Sequence, residues 1–166
     1  MYIMEVLNGT RGVLSQILRS GDIELNLHSG NRDDVFRELI GHVPYLRRRP
    51  EAAEALLKAL VDREKLCSTG LGEGIALPHT RNSIPGLAEH PILVFGRHEQ
   101  GINYGALDGS PVHLFFLLIA PSVSQHLQIL ARLTRLLRKP EVRQALLRAN
   151  SREDVLDALH SENVLT

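Results

Sequence analysis

The segment STGLGEGIALPHTR, residues 68–81, delivers a histidine, His79, at the end of a short apolar run. Imidazole titrates near neutral pH, so it can serve as a nucleophile or as a general acid and base. Pro78 fixes the backbone just before the histidine, which suits a side chain that must be held toward a partner. A lone histidine after a strand more often satisfies a local hydrogen bond, so His79 alone leaves both roles open.

Three glycines, Gly70, Gly72 and Gly74, lie in the same segment and predict a flexible loop before the strand. Glycine-rich backbone can approach an anion closely and cradle a phosphate. The segment is no Walker loop, because no Gly-Lys-Ser/Thr follows. It is no dinucleotide fingerprint either, because it precedes a strand instead of opening a helix. A mobile loop without any ligand explains the glycines equally well.

Two other side chains are candidates for the same site. His126 shares a helical stripe with Leu130, Leu133 and Leu137, so it is either a capped core residue or a group facing His79. Arg63 falls in the last turn of a predicted helix, where a cation also stabilises the helix dipole without any role in chemistry. The local pattern does not decide between these roles.

The elements that must position these side chains are predicted in the order β-α-α-β-β-β-α-α-α. Period-two alternation and apolar runs predict the strands, and 3.6-residue spacing predicts the helices. Asn31 with Asp34, Pro50, and Ser151 with Asp154 mark helix starts. The strands are predicted at 23–28, 75–78, 90–98 and 111–121, and the helices at 29–42, 50–66, 125–139, 140–149 and beyond 151. The pattern predicts an α/β fold with helices on both faces of a mixed sheet.

The composition is that of one ordinary globular domain. The chain has 166 residues, of which 43% are hydrophobic and 23% charged, and 19 basic residues balance 19 acidic ones. Such a balance provides no bulk attraction to nucleic acid or anionic lipid. Cys67 is the only cysteine, so the sequence excludes an internal disulfide. The start of the chain lacks the pattern of a secretory signal, and we expect a cytoplasmic protein without membrane insertion.

The segment REKLCSTGLGEGIALPHTR, residues 63–81, resembles the active-site signature of a known family. The family is the phosphotransferase-system enzyme IIA domains of the mannitol/fructose type (type-2), which includes the nitrogen-regulatory IIA proteins. Further matches follow in order: DGSPVHLFFLLIAP resembles the family's Asp-x-x-Pro-Val strand, and QHLQILARL resembles its His-Leu helix. The resemblance covers nearly the whole chain. Within the family, the chain is most similar to the nitrogen-regulatory type.

The resemblance implies a three-layer α/β/α sandwich and assigns roles to single residues. His79 falls on the phosphorylated histidine, His126 on the second active-site histidine, and Arg63 on the arginine that helps bind the phosphoryl group. Family members are protein-histidine phosphotransferase components that receive the phosphoryl group from HPr or its nitrogen-branch relative. Sugar-type members pass it to a cysteine of a IIB domain. The resemblance implies neither a metal nor a nucleotide.

Several loop residues have uncertain roles in this scheme. Ser68, Thr69 and Gly74 match the motif and are candidates for phosphate contacts. Glu73 and Thr80 depart from the common pattern, and we expect the Glu73 carboxylate to point away from a phosphoryl group that it would repel. The third matching polar residue, Asp108 before Gly109, is expected to form a turn.

Other functions stay open at this point. A free-standing chain of this length favours the nitrogen-regulatory role, in which the phosphorylation state controls partner proteins, over a sugar-specific IIA role. A non-phosphorylated interaction module is a further alternative, suggested by Glu73 and Thr80. Nucleic-acid binding would use the basic residues of 132–148 and Arg47 to Arg49, but a solvated helix face explains them better. A zinc site from His79 and His126 has no ligand spacing to support it.

The predicted domain organisation is simple. We expect a lead-in over residues 1–15, a single IIA domain over 16–162 and a tail over 163–166. No repeat, low-complexity segment or linker interrupts the middle of the chain.

Overall fold

The computed structural model describes residues 13–20 and 22–160, and it has a mixed sheet between two layers of helices. The strands are β1 Ile23–Glu24, β2 Gly70–Gly72, β3 Ile75–Ala76, β4 Ile92–Ile102 and β5 Val112–Ile119. The helices are α1 Val13–Ser20, α2 Arg32–Gly41, α3 Pro44–Arg47, α4 Pro50–Leu66, α5 Val123–Leu137, α6 Pro140–Arg148 and α7 Arg152–His160. The predicted three-layer α/β/α sandwich is confirmed.

The five strands are arranged in the order β1-β4-β5-β3-β2, which places β5 at the centre. β4 and β5 pair antiparallel, β3 runs parallel to β5, and the edge strands β1 and β2 are parallel and antiparallel to their neighbours. Every residue of β5 except His113 is buried, as expected for a strand covered on both faces.

Successive residues of the central strands point into two separate cores. Phe95 and Phe116 pack with α1, α5, α6 and α7 on one side of the sheet. Phe115 and Val94 pack with α2, α3 and α4 on the other side. The apolar stripe of each amphipathic helix therefore covers one face of the same sheet.

Several of these helices begin at the capping residues and the proline that mark helix starts in the sequence. The Asn31 side chain accepts a hydrogen bond from the Asp34 amide at 2.9 Å, and Ser151 does the same for Asp154 at 3.1 Å. Pro50 occupies the first turn of α4. These predicted helix starts are confirmed, because each depends only on residues a few positions apart.

The observed order differs from the predicted one by three short elements, α1, α3 and β2. The strand predicted over residues 23–28 is shorter, since only Ile23–Glu24 pair regularly with β4, although the Leu27 amide still donates to the Arg97 carbonyl. The glycine segment is not the flexible loop that we expected. Gly70–Gly72 forms the edge strand β2, paired with β3.

The predicted boundary of the domain falls inside α1. Leu14 of this helix is buried in the core beside the sheet, within the predicted lead-in 1–15. Most of that lead-in and the whole predicted tail 163–166 lie outside the described residues, so the boundaries 16–162 stay a prediction. None of the helices in the described part of the chain is long and apolar enough to cross a bilayer.

Candidate functional site

The backbone around His79 is fixed by the central strand. After β3, the chain continues beside β5: the Leu118 amide donates to the Pro78 carbonyl at 3.1 Å, and His79 forms a parallel bridge with Leu118. The Leu77 amide donates to the Thr69 carbonyl at 3.0 Å on the other side. His79 thus lies at the carboxyl end of a short parallel strand, held by both neighbours.

The orientation of the His79 ring is set by its own backbone. Its Nδ1 atom lies 2.6 Å from the Leu77 carbonyl oxygen. A carbonyl only accepts hydrogen bonds, so Nδ1 carries the proton and donates. The Nε2 atom of the neutral ring therefore keeps its lone pair and is the nucleophilic nitrogen.

The His126 side chain approaches His79 from α5, in the helix layer on the other side of the sheet from α4. It lies in the first turn of α5, which begins where the Ser122 side chain accepts a hydrogen bond from the Gln125 amide. The ring centroids of His126 and His79 are 4.9 Å apart, with the ring planes tilted by 51°. The structure therefore brings together two histidines that are separated by almost fifty positions.

Arg63 completes the group from the last turn of α4. Its guanidinium donates from Nη1 to the Cys67 carbonyl at 2.7 Å, immediately after the helix ends. The side chain lines a cleft of about 220 Å³ together with His79 and His126. The guanidinium keeps further N–H donors for a ligand.

The electrostatic environment keeps both histidines neutral near pH 7. Burial lowers the pKa of His79, and the Arg63 charge lowers it further, although the hydrogen bond to Leu77 and the charge of Glu64 act in the opposite direction. Burial, followed by repulsion from the His79 ring when it is protonated and from Arg63, lowers the pKa of His126 to about 4. The cleft thus combines a neutral nucleophile, a neutral second histidine and a permanent cation.

The rim of the cleft is apolar and exposed. Val123 and Leu127 on α5 are 62% and 58% exposed, and both line the cleft. A second depression of about 430 Å³ shares Arg63 and contains Leu66, which is 61% exposed. Exposed apolar residues grouped around a polar centre are typical of a surface that binds another protein. The helical stripe did not reveal them, because they lie on the solvent side of their helices.

Two of the three loop candidates for phosphate contacts have hydrogen-bond partners within the protein. The Ser68 hydroxyl accepts from the Gly70 amide at 3.0 Å, and the buried Thr69 hydroxyl bonds to Glu64 and Tyr104. Gly74 precedes β3 at the end opposite to His79, about 16 Å away for five extended residues. The structure does not bring Gly74 to the histidines.

Of the two departures from the family pattern, Thr80 lines the cleft and Glu73 does not. Glu73 adopts a left-handed backbone, with φ of 57°, in the turn before β3, and its carboxylate lies 3.6 Å from Arg143. It therefore points away from His79, as we expected. Thr80 donates its hydroxyl proton to the Asn82 carbonyl at 2.7 Å. Asp108 accepts hydrogen bonds from the amides of Ser110 and Glu73, as a turn residue does.

Arg143, one of the basic residues considered for nucleic-acid binding, has hydrogen-bond partners within the protein. The Arg143 side chain, only 16% exposed, donates to the carbonyls of Leu137 and Arg138 at the end of α5. Such a residue stabilises a helix terminus, and its guanidinium is not exposed for contact with a nucleic-acid backbone. Among the described residues, no group of three or more His, Cys, Asp or Glu side chains could hold a metal ion.

Comparison with known proteins assigns the class. The family model described as phosphoenolpyruvate-dependent sugar phosphotransferase system, EIIA 2, matches residues 16–162. The chain belongs to this family, and the resemblance drawn from the sequence is confirmed.

Individual relatives come from both the regulatory and the sugar branch. A nitrogen regulatory protein of Pseudomonas aeruginosa is 36% identical over 143 residues, which cover 84% of this chain and 90% of that protein. The fructose-specific EIIABC component of Bacillus subtilis is 32% identical over 152 residues, or 90% of this chain. The chain spans 23%, about a quarter, of that longer relative.

Solved structures show the same fold. The nitrogen regulatory protein IIA-Ntr of Neisseria meningitidis matches with a TM-score of 0.74 and 29% identity, over 89% of this chain and 99% of that one. The mannitol IIA of Escherichia coli matches with a TM-score of 0.68 and 26% identity, over 82% and 94%.

Proposed function

We propose that this protein is a phosphoryl carrier that accepts a phosphoryl group on Nε2 of His79. The donor is a phosphohistidine of HPr or its nitrogen-branch relative, in the cytoplasm. The observation that carries the proposal is the His79 ring itself. Its Nδ1 proton is committed to the Leu77 carbonyl, and Arg63 and His126 line the same cleft.

The chemistry follows from this arrangement. The Nε2 lone pair attacks phosphorus in line, a new N–P bond forms, and the bond from phosphorus to the donor's imidazole nitrogen breaks. The His79 ring gains positive charge, which the Nδ1–H bond to the Leu77 carbonyl stabilises. Arg63 neutralises charge on the phosphoryl oxygens, and an N–H of the neutral His126 ring donates a hydrogen bond to them. The residues of the cleft require neither a metal nor a nucleotide for this step.

The regulatory role is the one we favour for the carrier. The nitrogen regulatory relative from P. aeruginosa matches over 90% of its own length, and the N. meningitidis IIA-Ntr structure over 99%. In this role, phosphorylation of His79 would add negative charge between the exposed apolar residues Leu66, Val123 and Leu127 and change which partner proteins bind there.

A sugar-specific role is the second candidate. The fructose-specific EIIA component of Haloferax volcanii is 37% identical over 113 residues, and a mannitol IIA of E. coli is known in complex with its phosphorylated IIB. The same cleft would then pass its phosphoryl group to a IIB cysteine.

The test of the carrier function is transfer of labelled phosphate. The chain is incubated with enzyme I, HPr or its nitrogen-branch relative, and labelled phosphoenolpyruvate. We expect acid-labile, alkali-stable label on the wild type and on His90→Ala, a matched change at an exposed histidine, but none on His79→Ala. Label on His79→Ala, or no label with any donor, would contradict the proposal and favour a non-phosphorylated interaction module.

The two roles separate in a second step. Phosphorylated chain is mixed with fructose-type and mannitol-type IIB domains, and loss of label from the chain is followed over time. Retention of the label supports the regulatory role. Rapid transfer to a IIB cysteine, abolished by changing that cysteine to serine, would establish the sugar-specific role instead.

A further inference from the structure

The last turn of α4, which carries Arg63, also contains a buried carboxylate. Glu64 follows Arg63 in the last turn of α4, yet its side chain points into the protein and the residue is only 7% exposed. A buried carboxylate is costly unless hydrogen bonds or charges compensate for the lost water. The proposed phosphoryl transfer itself assigns no role to this carboxylate.

Thr69, five positions after Glu64, and Tyr104, forty positions after it, compensate for that cost. The Thr69 amide donates to both carboxylate oxygens at 3.1 Å, and its hydroxyl also bonds to Oε1. The Tyr104 hydroxyl lies 2.9 Å from the same Oε1 atom and 2.7 Å from the Thr69 hydroxyl. Three donors, the Thr69 amide and the hydroxyls of Thr69 and Tyr104, therefore converge on one buried carboxyl group.

This cluster is connected to two of the three residues of the site. The segment 67–69 that Glu64 holds carries the Cys67 carbonyl, which accepts the hydrogen bond from Arg63. The Thr69 carbonyl accepts from the Leu77 amide at 3.0 Å, and the Leu77 carbonyl accepts from Nδ1 of His79. Displacement of segment 67–69 would therefore move the acceptors that orient both Arg63 and His79.

The charge of Glu64 acts on the same histidine. The Glu64 charge raises the pKa of His79, against the effects of burial and of Arg63, which lower it. A cation beside the nucleophile binds the phosphoryl oxygens, but it also makes the imidazole less basic. The Glu64 charge acts in the direction opposite to that second effect.

We propose that Glu64, held by Thr69 and Tyr104, is a positioning residue for the His79 site. Its hydrogen bonds fix the segment that orients Arg63, and its negative charge keeps His79 basic beside that cation. This role rests on the proposed function of His79. The pKa of His79 and the mobility of Arg63 can nevertheless be measured without a phosphoryl donor.

The first experiment measures the charge. The His79 ring is titrated by NMR in the unphosphorylated wild type, in Glu64→Gln and in the control Glu73→Gln, which removes an equal charge at the other end of β3. We expect Glu64→Gln to lower the pKa of His79, and Glu73→Gln to leave it unchanged. An unchanged His79 pKa in folded Glu64→Gln would overturn the proposal.

The second experiment measures position without changing the charge. Tyr104→Phe removes one hydroxyl from the cluster but keeps the ring, whose centroid lies 6.0 Å from that of Phe36 and 5.8 Å from that of Phe115. We expect a lower NMR order parameter at Nε–H of Arg63 and no fall in the His79 pKa. An unchanged Arg63 order parameter would contradict the proposal, and this arm decides alone if Glu64→Gln does not fold.

A third readout separates this proposal from the function on which it rests. Phosphorylation of Glu64→Gln by the donor should be slower by about tenfold to a hundredfold, the usual effect of small displacements in an active site. If the wild type itself accepts no phosphoryl group, the proposed function fails, whereas the two NMR measurements still decide the role of Glu64.

Discussion

At the scale of single residues, a backbone carbonyl decides which nitrogen of His79 carries the proton and which keeps its lone pair. Leu77 lies two positions before the histidine, and its carbonyl holds Nδ1–H at 2.6 Å. The ring is thus oriented by a carbonyl of its own strand, and the Leu77 amide of that strand donates in turn to the Thr69 carbonyl. Arg63 and His126 then need only approach from the two helix layers on either side of the sheet.

The lowered pKa of His126 makes folding stability depend on pH. The folded pKa is about 4, because burial and the neighbouring cations disfavour the charged ring, whereas an unfolded histidine titrates near 6.5. Between these values the unfolded chain binds more protons than the folded one, so the free energy of unfolding falls as the pH is lowered from 6.5 toward 4. We expect this fall to be smaller in His126→Asn than in the wild type.

The measurement is urea unfolding at several pH values between 4 and 7. The control is His90→Asn at an exposed position, which should reproduce the wild-type pH dependence. Equal pH dependence in wild type and His126→Asn would show that His126 is not held neutral by the fold.

Sequence reasoning singled out three side chains that share the cleft but did not predict their environment. His79, His126 and Arg63 were assigned by residue type and resemblance, and the structure brings them to one cleft. The contact of Glu64 with Tyr104 joins positions forty residues apart, so no local pattern could indicate it. The tautomer of His79 likewise depends on the contact between its ring and the Leu77 carbonyl, and no sequence pattern indicates that contact.

At the scale of elements, the end of β3 and the start of α5 carry the two histidines. Helix starts were predictable because caps such as Asn31 and Ser151 act within a few residues. The short strands were not, since Ile23–Glu24 and Gly70–Gly72 are strands only through their pairing with distant partners. The expectation of a loose glycine loop was wrong for this reason.

Gly70 of β2 has a packing role that can be tested. A Cβ atom at this position would lie 2.7 Å from the Cβ atom and 3.1 Å from the Cα atom of Ala106, which cannot move away easily. We expect Gly70→Ala to lower the free energy of unfolding by about 1–3 kcal/mol through overpacking.

The matched control is Gly41→Ala, the same change at the end of α2, where a new Cβ meets nothing within 4 Å. It should leave stability unchanged or raise it by about 0.5–1 kcal/mol, because alanine favours the helix. Both values come from denaturant unfolding, and an equally stable Gly70→Ala would refute the close approach of β2 to Ala106.

At the scale of the whole molecule, one sheet separates two hydrophobic cores, and side-chain hydrogen bonds connect the sheet to the helix layers. Arg97 on β4 donates to the Leu25 carbonyl beside β1, and to the carbonyls of Leu147 and Ala149 at the end of α6. It therefore connects the sheet edge to the helix layer that also contains α5, where His126 is located.

Removal of the guanidinium should loosen that connection. We expect Arg97→Met to lower the free energy of unfolding by about 1–3 kcal/mol, because carbonyls at the end of α6 lose their donors. Arg135→Met, at an exposed position of α5, should change stability by no more than about 0.5 kcal/mol. Comparable effects of the two changes in urea unfolding would contradict the structural role of Arg97.

The most direct test of the whole account is to locate the phosphoryl group on the ring. The chain is labelled with nitrogen-15 in its histidines, phosphorylated by its donor, and examined by NMR correlations that distinguish the two ring nitrogens. The geometry at Leu77 predicts phosphorylation at Nε2 of His79. A phosphoryl group on Nδ1 of His79, or on His126, would contradict the account of the site.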